Sequence, residues 1–401
     1  MRCKISNNTI EPFMSFGRMP IANAFLTEDE FVEEFFFDME VGFSEKLSLF
    51  QLNDHPSPKK MFNDNYPFFT GSSEYMKIHF KKYADWIKKK YLHNSSKIIE
   101  IGSNDGTFLS NFDSNKTEYL GIEPSKSVAN IALGKKIKTI QSFFSHNLSR
   151  ELTNFKKNTD VIIGANVICH VPNLTDLIKG VDNLLSAKGV FIFEEPYLGS
   201  MFKKISYDQI YDEHIYMFSA VAIQKIFKLF DMDLIDVLPQ NTHGGSLRYV
   251  ISRKNQHEVS KNVGLIVDQE KNQNLDNIES CLIFKKNCEL SKENLKKKID
   301  DLKKKNMNLC GYAATSKSTT ILNYCKIGIN EINFICDTTK EKIGKFSPGT
   351  HIPIVPLSHF HANLPDVAYL FAWNHKDEIF SKEKEFLKKG GSWFSHVSLQ
   401  K

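Results

Sequence analysis

From residue 97 onward, short apolar runs alternate with amphipathic stretches. Runs at 97–101, 118–122, 160–164 and 189–193 read as strands, and helical spacing fills 125–134 and 174–187 between them. Strands alternating with helices predict a parallel sheet covered on both faces. A helix over 219–230 leads to strands at 232–238 and 246–252. The link between those two is so short that they must pair antiparallel. Upstream, Tyr75, Ile78, Tyr83, Trp86 and Ile87 recur at helical spacing over 73–90. Residues 1–75 carry aromatics and turn residues without that periodicity and predict a small irregular or β-rich module. Residues 258–306 are polar and helix-compatible, a connecting helix. A second strand and helix alternation follows, with strands at 308–312, 332–337 and 367–373, a helix from 317, and a closing GGSWF segment. The expected division is therefore 1–75, 76–255 and 256–401. The fold class is α/β, with a central Rossmann-like unit, a small N-terminal unit and a smaller C-terminal Rossmann-like unit.

Composition narrows the class without naming a function. At 41% hydrophobic and 25% charged residues, the chain is an ordinary folded one, which excludes disordered and collagen-like readings. No run nears the roughly 20 apolar residues of a membrane helix, and residues 1–13 lack the apolar stretch of a signal peptide. A cytoplasmic location and no membrane partner are expected. The net charge of +5 comes almost wholly from lysines, the only arginines being Arg2, Arg18, Arg150, Arg248 and Arg253. Lysines scattered beside acids describe solvated faces, so no nucleic-acid partner is expected. Seven cysteines with no CxxC pair give neither a disulfide framework nor a complete zinc knuckle.

Three segments carry candidate chemistry. In IIEIGSNDG (98–106) a buried strand enters a turn with glycines at 102 and 106, where the backbone turns tightly and approaches a ligand. Glu123 ends the next strand, 21 residues after Gly102, where a carboxylate would accept ribose hydroxyls. Either a dinucleotide or S-adenosylmethionine fits that spacing. The loop lacks the central glycine of GxGxxG, and Glu100 stands two residues before Gly102, so S-adenosylmethionine is favoured. In YDQIYDEH (207–214), Tyr211, Glu213 and His214 converge in a long segment beyond a parallel strand. His214 is the natural proton acceptor. Tyr211 is a donor to a developing oxyanion, and Glu213 an anchor for the imidazole or a hydroxyl. Asn166 and His170 follow another strand end. In THGGSLR (242–248) the Gly244 and Gly245 amides and the Arg248 guanidinium suit a phosphate.

Eleven stretches in order resemble the three-domain sugar C-methyltransferases, which act on nucleotide-linked 4-keto deoxysugars. They include FGRMPIANAFL (16–26), IEIGSNDGTFL (99–109), NVICHVPNL (166–174), YDQIYDEH (207–214), HGGSLR (243–248) and GYAATSKSTTILNY (311–324). The resemblance implies an S-adenosylmethionine-dependent enzyme that forms an enolate. It puts Tyr211, Glu213, His214 and His170 at the reaction, with Glu100, Gly102, Asn104, Gly106, Glu123 and Asn166 on the cofactor. Tyr66, Tyr197, His243, Gly244, Gly245 and Arg248 fall on the sugar nucleotide. It also implies an N-terminal zinc on four thiolates. Here only Cys3 is in place, with Ser6, Ser44 and Leu47 at the other positions, so no metal is expected. An O-methyltransferase, a nicotinamide-dependent oxidoreductase and a catalytically silent binding protein remain alternatives on the sequence alone.

Overall fold

The computed structural model describes residues 1–63 and 68–399. Three sheets organise them. The central sheet has seven strands in the order Met232–Gln240, Ser246–Arg253, Leu185–Pro196, Thr159–Ala165, Ser96–Ile101, Thr117–Ile122 and Thr139–Ile140. The last five are parallel, and the first two form the expected antiparallel edge. Both faces are covered, which is why the strands read as apolar runs rather than alternating ones. Ile98 packs into the cluster under helix Glu74–Tyr91, while Ile99 and Ile101 enter the core on the opposite face. That helix buries Met76, Phe80, Tyr83, Ala84 and Ile87, one stripe at helical spacing, and Ser73 caps it by accepting from Met76 N.

Strand Ser96–Ile101 lies between Thr159–Ala165 and Thr117–Ile122. The direction of winding reverses there, and the crevice beyond its carboxyl end is where such sheets bind ligands.

The N-terminal residues form an antiparallel sheet of Pro12–Pro20, Phe36–Ser44 and Leu49–Leu52. Its fourth member is the short strand Tyr216–Met217, whose partners are Gln51 and Phe50. The segment just after His214 is thus strapped to the N-terminal sheet.

The C-terminal sheet is all parallel, in the order Ile354–Pro356, Ile335–Asp337, Leu309–Tyr312, Val367–Leu370 and Ser392–Phe394. The strand Ile354–Pro356 falls in a stretch whose Pro and Gly content reads as turn. Strands Thr139–Ile140 and Ile354–Pro356 are too short to show a period. The connecting helix is two helices, Lys261–Asn272 and Ile278–Lys304. Asn274, at a φ of 55°, breaks the run, and the Asn277 side chain caps the second helix by accepting from Glu279 N. Among the described residues no helix is long and apolar enough to cross a membrane.

Candidate active site

The carboxyl ends of the central and C-terminal parallel sheets open onto one cavity of about 1230 Å³. On the central side, Gly102 has a φ of +68°, and a Cβ there would lie 2.6 Å from Val167 Cγ2. Only glycine permits that approach. Gly102 N and Ser103 N both donate to Ile122 O, at 2.8 and 3.1 Å. Glu123 then ties the loop down, accepting from Asn104 N at 3.0 Å and Ser125 N at 2.8 Å. Asn104 accepts from Thr70 N and donates to Phe68 O. Glu100, Gly102, Asn104, Glu123 and Asn166 line the cavity. Gly106 does not: its φ of +74° serves the turn, packed against Ile137 and Ala132.

Among the described residues, three polar atoms of this wall are buried without a partner: Glu100 Oε2, Ser103 Oγ and Asn166 Oδ1. Burial, with Asp105 and Glu123 nearby, holds the Glu100 carboxyl well above the usual carboxylate range. A cationic ligand would relieve that cost. The acids Glu100 and Glu123 and the amide of Asn166 fit a ligand that carries an ammonium group and a diol, as S-adenosylmethionine does.

The cavity is also lined by the YDQIYDEH segment, which is held from the N-terminal and the C-terminal units. Trp373 Nε1 donates to Asp208 Oδ2 at 2.6 Å, and His396 Nε2 lies 3.2 Å from Asp208 Oδ1. Thr320 Oγ1 donates to Ile210 O at 2.9 Å. Ala22 N donates to Asp212 Oδ1 at 2.9 Å, and Asn23 Nδ2 to Glu213 Oε1 at 2.6 Å. The N-terminal FGRMPIANAFL stretch thus reaches the site through Ala22 and Asn23.

His214 is oriented by the backbone. Its Nδ1 lies 2.6 Å from the Gln209 carbonyl, an acceptor only, so Nδ1 carries the proton and Nε2 the lone pair. Tyr211 Oη stands 2.7 Å from that Nε2. His170 stacks between Phe62 and His214, with ring centroids 5.6 and 5.3 Å away. Burial pushes His170 down to about 3 and lowers His214 well below the usual histidine value. Both rings are neutral at pH 7. Among the described residues, His170 Nε2 is buried without a partner at the cavity wall.

Glu195 supports this loop, accepting from Val167 N at 3.1 Å and Ile168 N at 2.7 Å, and burial pushes it up to about 7. Cys169, His170 and His214 have ligand atoms within 4.8 Å of one another. Two are already engaged: the Cys169 thiol with Glu195, and His214 at both nitrogens.

The substrate group expected from sequence divides. His243 lines the cavity at a φ of 51°. Gly244 and Gly245 have φ of +85° and +123°, and a Cβ would strike Trp373 or Ser200. They shape the turn without lining the cavity. Arg248 is a correction. It is buried and paired with Glu194, which also meets His79 Nε2 at 2.6 Å. Its guanidinium lies 3.6 Å from the Tyr83 ring centroid, so no fork is left for phosphate. Tyr197 is a second correction, because its hydroxyl bonds Glu270 away from the cavity. Tyr66 lies outside the described residues. Lys317, Lys342, Asp208, Asn23 and the Gln209 carbonyl were not legible as site groups.

Near the N-terminus, Cys3 accepts from Ser6 N at 3.4 Å, and the Ser6 and Ser44 hydroxyls face its thiol. Leu47 is buried in the same core as Cys3. The four positions that the resemblance assigns to zinc have therefore stayed together. One thiol, two hydroxyls and a hydrocarbon do not make a zinc site.

Three family models match in succession: a zinc binding domain over 3–62, a methyltransferase domain over 75–237 and a C-methyltransferase C-terminal domain over 241–397. The chain is 28% identical over 381 residues to C-methyltransferase NovU of Streptomyces niveus, covering 94% of this chain and 90% of that one. Among solved structures it is similar to the CurJ carbon methyltransferase, at 16% identity and a TM-score of 0.35, covering 44% of this chain and 54% of that one. It is also similar to magnesium protoporphyrin IX methyltransferase of Synechocystis with bound S-adenosylmethionine, at 13% identity and a TM-score of 0.34, covering 44% and 79%. The site and the domain models define an S-adenosylmethionine-dependent methyltransferase. More particularly, the C-terminal domain model and the likeness to NovU along the chain support a C-methyltransferase.

Proposed function

We propose that the enzyme methylates a carbon beside the ketone of a nucleotide-linked 4-keto deoxysugar, through an enolate. The observation that carries this is the His214 tautomer, a neutral imidazole whose Nε2 lone pair faces Tyr211 at the cavity wall. A hydrogen next to a ketone is acidic because the carbanion delocalises onto oxygen. Since the Tyr211 hydroxyl covers Nε2, the proton path runs through it. Tyr211 Oη takes the substrate proton as its own passes to Nε2, and His214 ends as the imidazolium. Tyr211 is then committed to His214, and His170, neutral and unpartnered at Nε2, is the donor for the enolate oxygen.

The Gln209 carbonyl orients His214, and Glu213, its carboxylate accepting from Asn23, lines the cavity where a sugar hydroxyl would meet it. Bound S-adenosylmethionine supplies the electrophilic methyl group. Glu100, Glu123 and Asn166 hold it, and Gly102 lets the loop approach it. Residues of the C-terminal unit, among them Thr315, Lys317 and Ala372, line the cavity and would limit the access of water to the carbanion. The division into 1–75, 76–255 and 256–401 belongs to this proposal: a support for the catalytic segment, a cofactor unit and a substrate wall.

Incubation with S-adenosylmethionine and a panel of 4-keto nucleotide sugars in deuterated water, read by mass spectrometry, tests the reading. Solvent deuterium without cofactor and a carbon-bound methyl group with it are expected. A methyl group on oxygen, or transfer from a substrate with no exchangeable α-hydrogen, would sink it.

A further inference from the structure

The cavity wall opposite the cofactor loop holds a charge that the proton-transfer step does not use. Lys317 sits in the first turn of helix Ser316–Cys325, which follows strand Leu309–Tyr312, and lines the cavity with Thr315, Ser316 and His243. Among the described residues its ammonium has no hydrogen-bond or ion-pair partner. The charge it feels most is Asp208, one oxygen of which already accepts from Trp373 Nε1. Neighbouring lysines differ: Lys342 donates to Ala314 O at 2.8 Å, and Lys382 pairs with Glu378 at 2.6 Å. Lys317 is half-buried, and an ammonium set in a cavity wall with no anion beside it is a natural seat for one.

Two further observations point the same way. Among the described residues, His243 Nε2 is buried at the same cavity without a partner, on a backbone held at a φ of 51°. Lys317 also lies close enough to His214, His243 and His375 for its charge to disfavour their protonation. In a nucleotide sugar the sugar ring alone separates the reacting carbon from the first phosphate. A cation near His214 is therefore where that phosphate would fall.

We infer that Lys317, with His243 beside it, binds the diphosphate of a nucleotide-linked substrate, the role that the sequence gives to Arg248 and that the fold withholds from it. The inference rests on the proposed substrate class. The test is calorimetric binding of adenosine, guanosine, cytidine, uridine and thymidine diphosphates, and of the parent nucleosides, to the full-length protein. S-adenosylhomocysteine binding serves as the control for folding. One diphosphate is expected to bind more tightly than its nucleoside. Lys317→Met should weaken it about tenfold or more, as charge-assisted hydrogen bonds to phosphate do. Lys317→Arg should stay within about threefold, with S-adenosylhomocysteine affinity unchanged in both.

Absence of diphosphate binding, or equal binding by Lys317→Met, would overturn the inference. So would a Lys317→Met enzyme that keeps the diphosphate and loses only α-hydrogen exchange, since the lysine would then serve the enolate. Diphosphate binding that depends on Lys317, with no methyl transfer to any 4-keto sugar, would leave the inference standing and remove the proposed reaction.

Discussion

Tyr211 Oη and His214 Nε2 are 2.7 Å apart, with the far nitrogen of the same ring 2.6 Å from the Gln209 carbonyl. The pair is a proton acceptor assembled within six residues of chain. His214→Asn should lower kcat by about 10²–10⁴-fold, the range of positioned general bases, and abolish α-hydrogen exchange. Tyr211→Phe uncovers Nε2 and removes the relay, so exchange should fall with it. Exchange at the wild-type rate in Tyr211→Phe would show that His214 meets the substrate directly.

Acidification should act on the histidines in one direction. His170 and His243 are pushed down to about 3 by burial, and His214 is lowered as well, all against an ordinary value near 6.5. The unfolded chain therefore takes up protons below about 6.5 while the folded one does not, and stability falls as pH drops from there toward 3. Above about 6.5 these groups contribute no pH dependence. Thermal melts between pH 8 and 4 should show a plateau and then a decline, and replacing His243 by Gln should make the decline shallower.

How much of this was legible follows from distance along the chain. The strand and helix alternation, the glycine turn and the YDQIYDEH cluster are local, and periodicity or spacing exposes them. The bond between Asn23 and Glu213 spans 190 residues, and that between Asp208 and Trp373 spans 165. No local pattern marks such pairs. Lys317 reads as one more lysine until the fold turns it into a cavity. Arg248 is the reverse case: a glycine pair followed by arginine suggests phosphate, but strand pairing sets Arg248 opposite Glu194 and settles its partner. Phe62, from the N-terminal unit, stacks on His170, another contact between distant parts of the chain.

Arg248→Met should accordingly damage folding and leave nucleotide recognition alone. Removing one partner of a buried ion pair typically costs about 3–5 kcal/mol, and Glu194 would keep only His79. A lowered midpoint in urea is expected, with diphosphate affinity unchanged below the transition. A selective loss of diphosphate affinity at unchanged stability would return Arg248 to the substrate site.

The degraded zinc position makes a plain chemical prediction. With Ser6, Ser44 and Leu47 around Cys3, the purified protein should carry well under one zinc per chain, and chelators should not move its melting temperature. Cys3→Ser should likewise cost little, since one buried thiol gives way to a hydroxyl beside two others. Stoichiometric zinc by elemental analysis would show that the N-terminal sheet recruits ligands elsewhere.

Glu100 carries the last prediction, because it separates a ligand-binding carboxylate from a structural one. Its Oε2 is buried without a partner, and its carboxyl is held well above the usual range by burial and by Asp105 and Glu123. An isolated buried acid destabilises the fold that holds it. Glu100→Gln should therefore leave the melting temperature of the ligand-free protein unchanged or raise it. The same change removes the negative charge that a ligand ammonium would meet, a charged hydrogen bond contributing about 1.5–3 kcal/mol. S-adenosylhomocysteine should bind Glu100→Gln at least tenfold more weakly by calorimetry, with the loss smaller for adenosine, which lacks the amino acid end. Equal losses for both ligands would move Glu100 from the amino acid end to the shape of the loop.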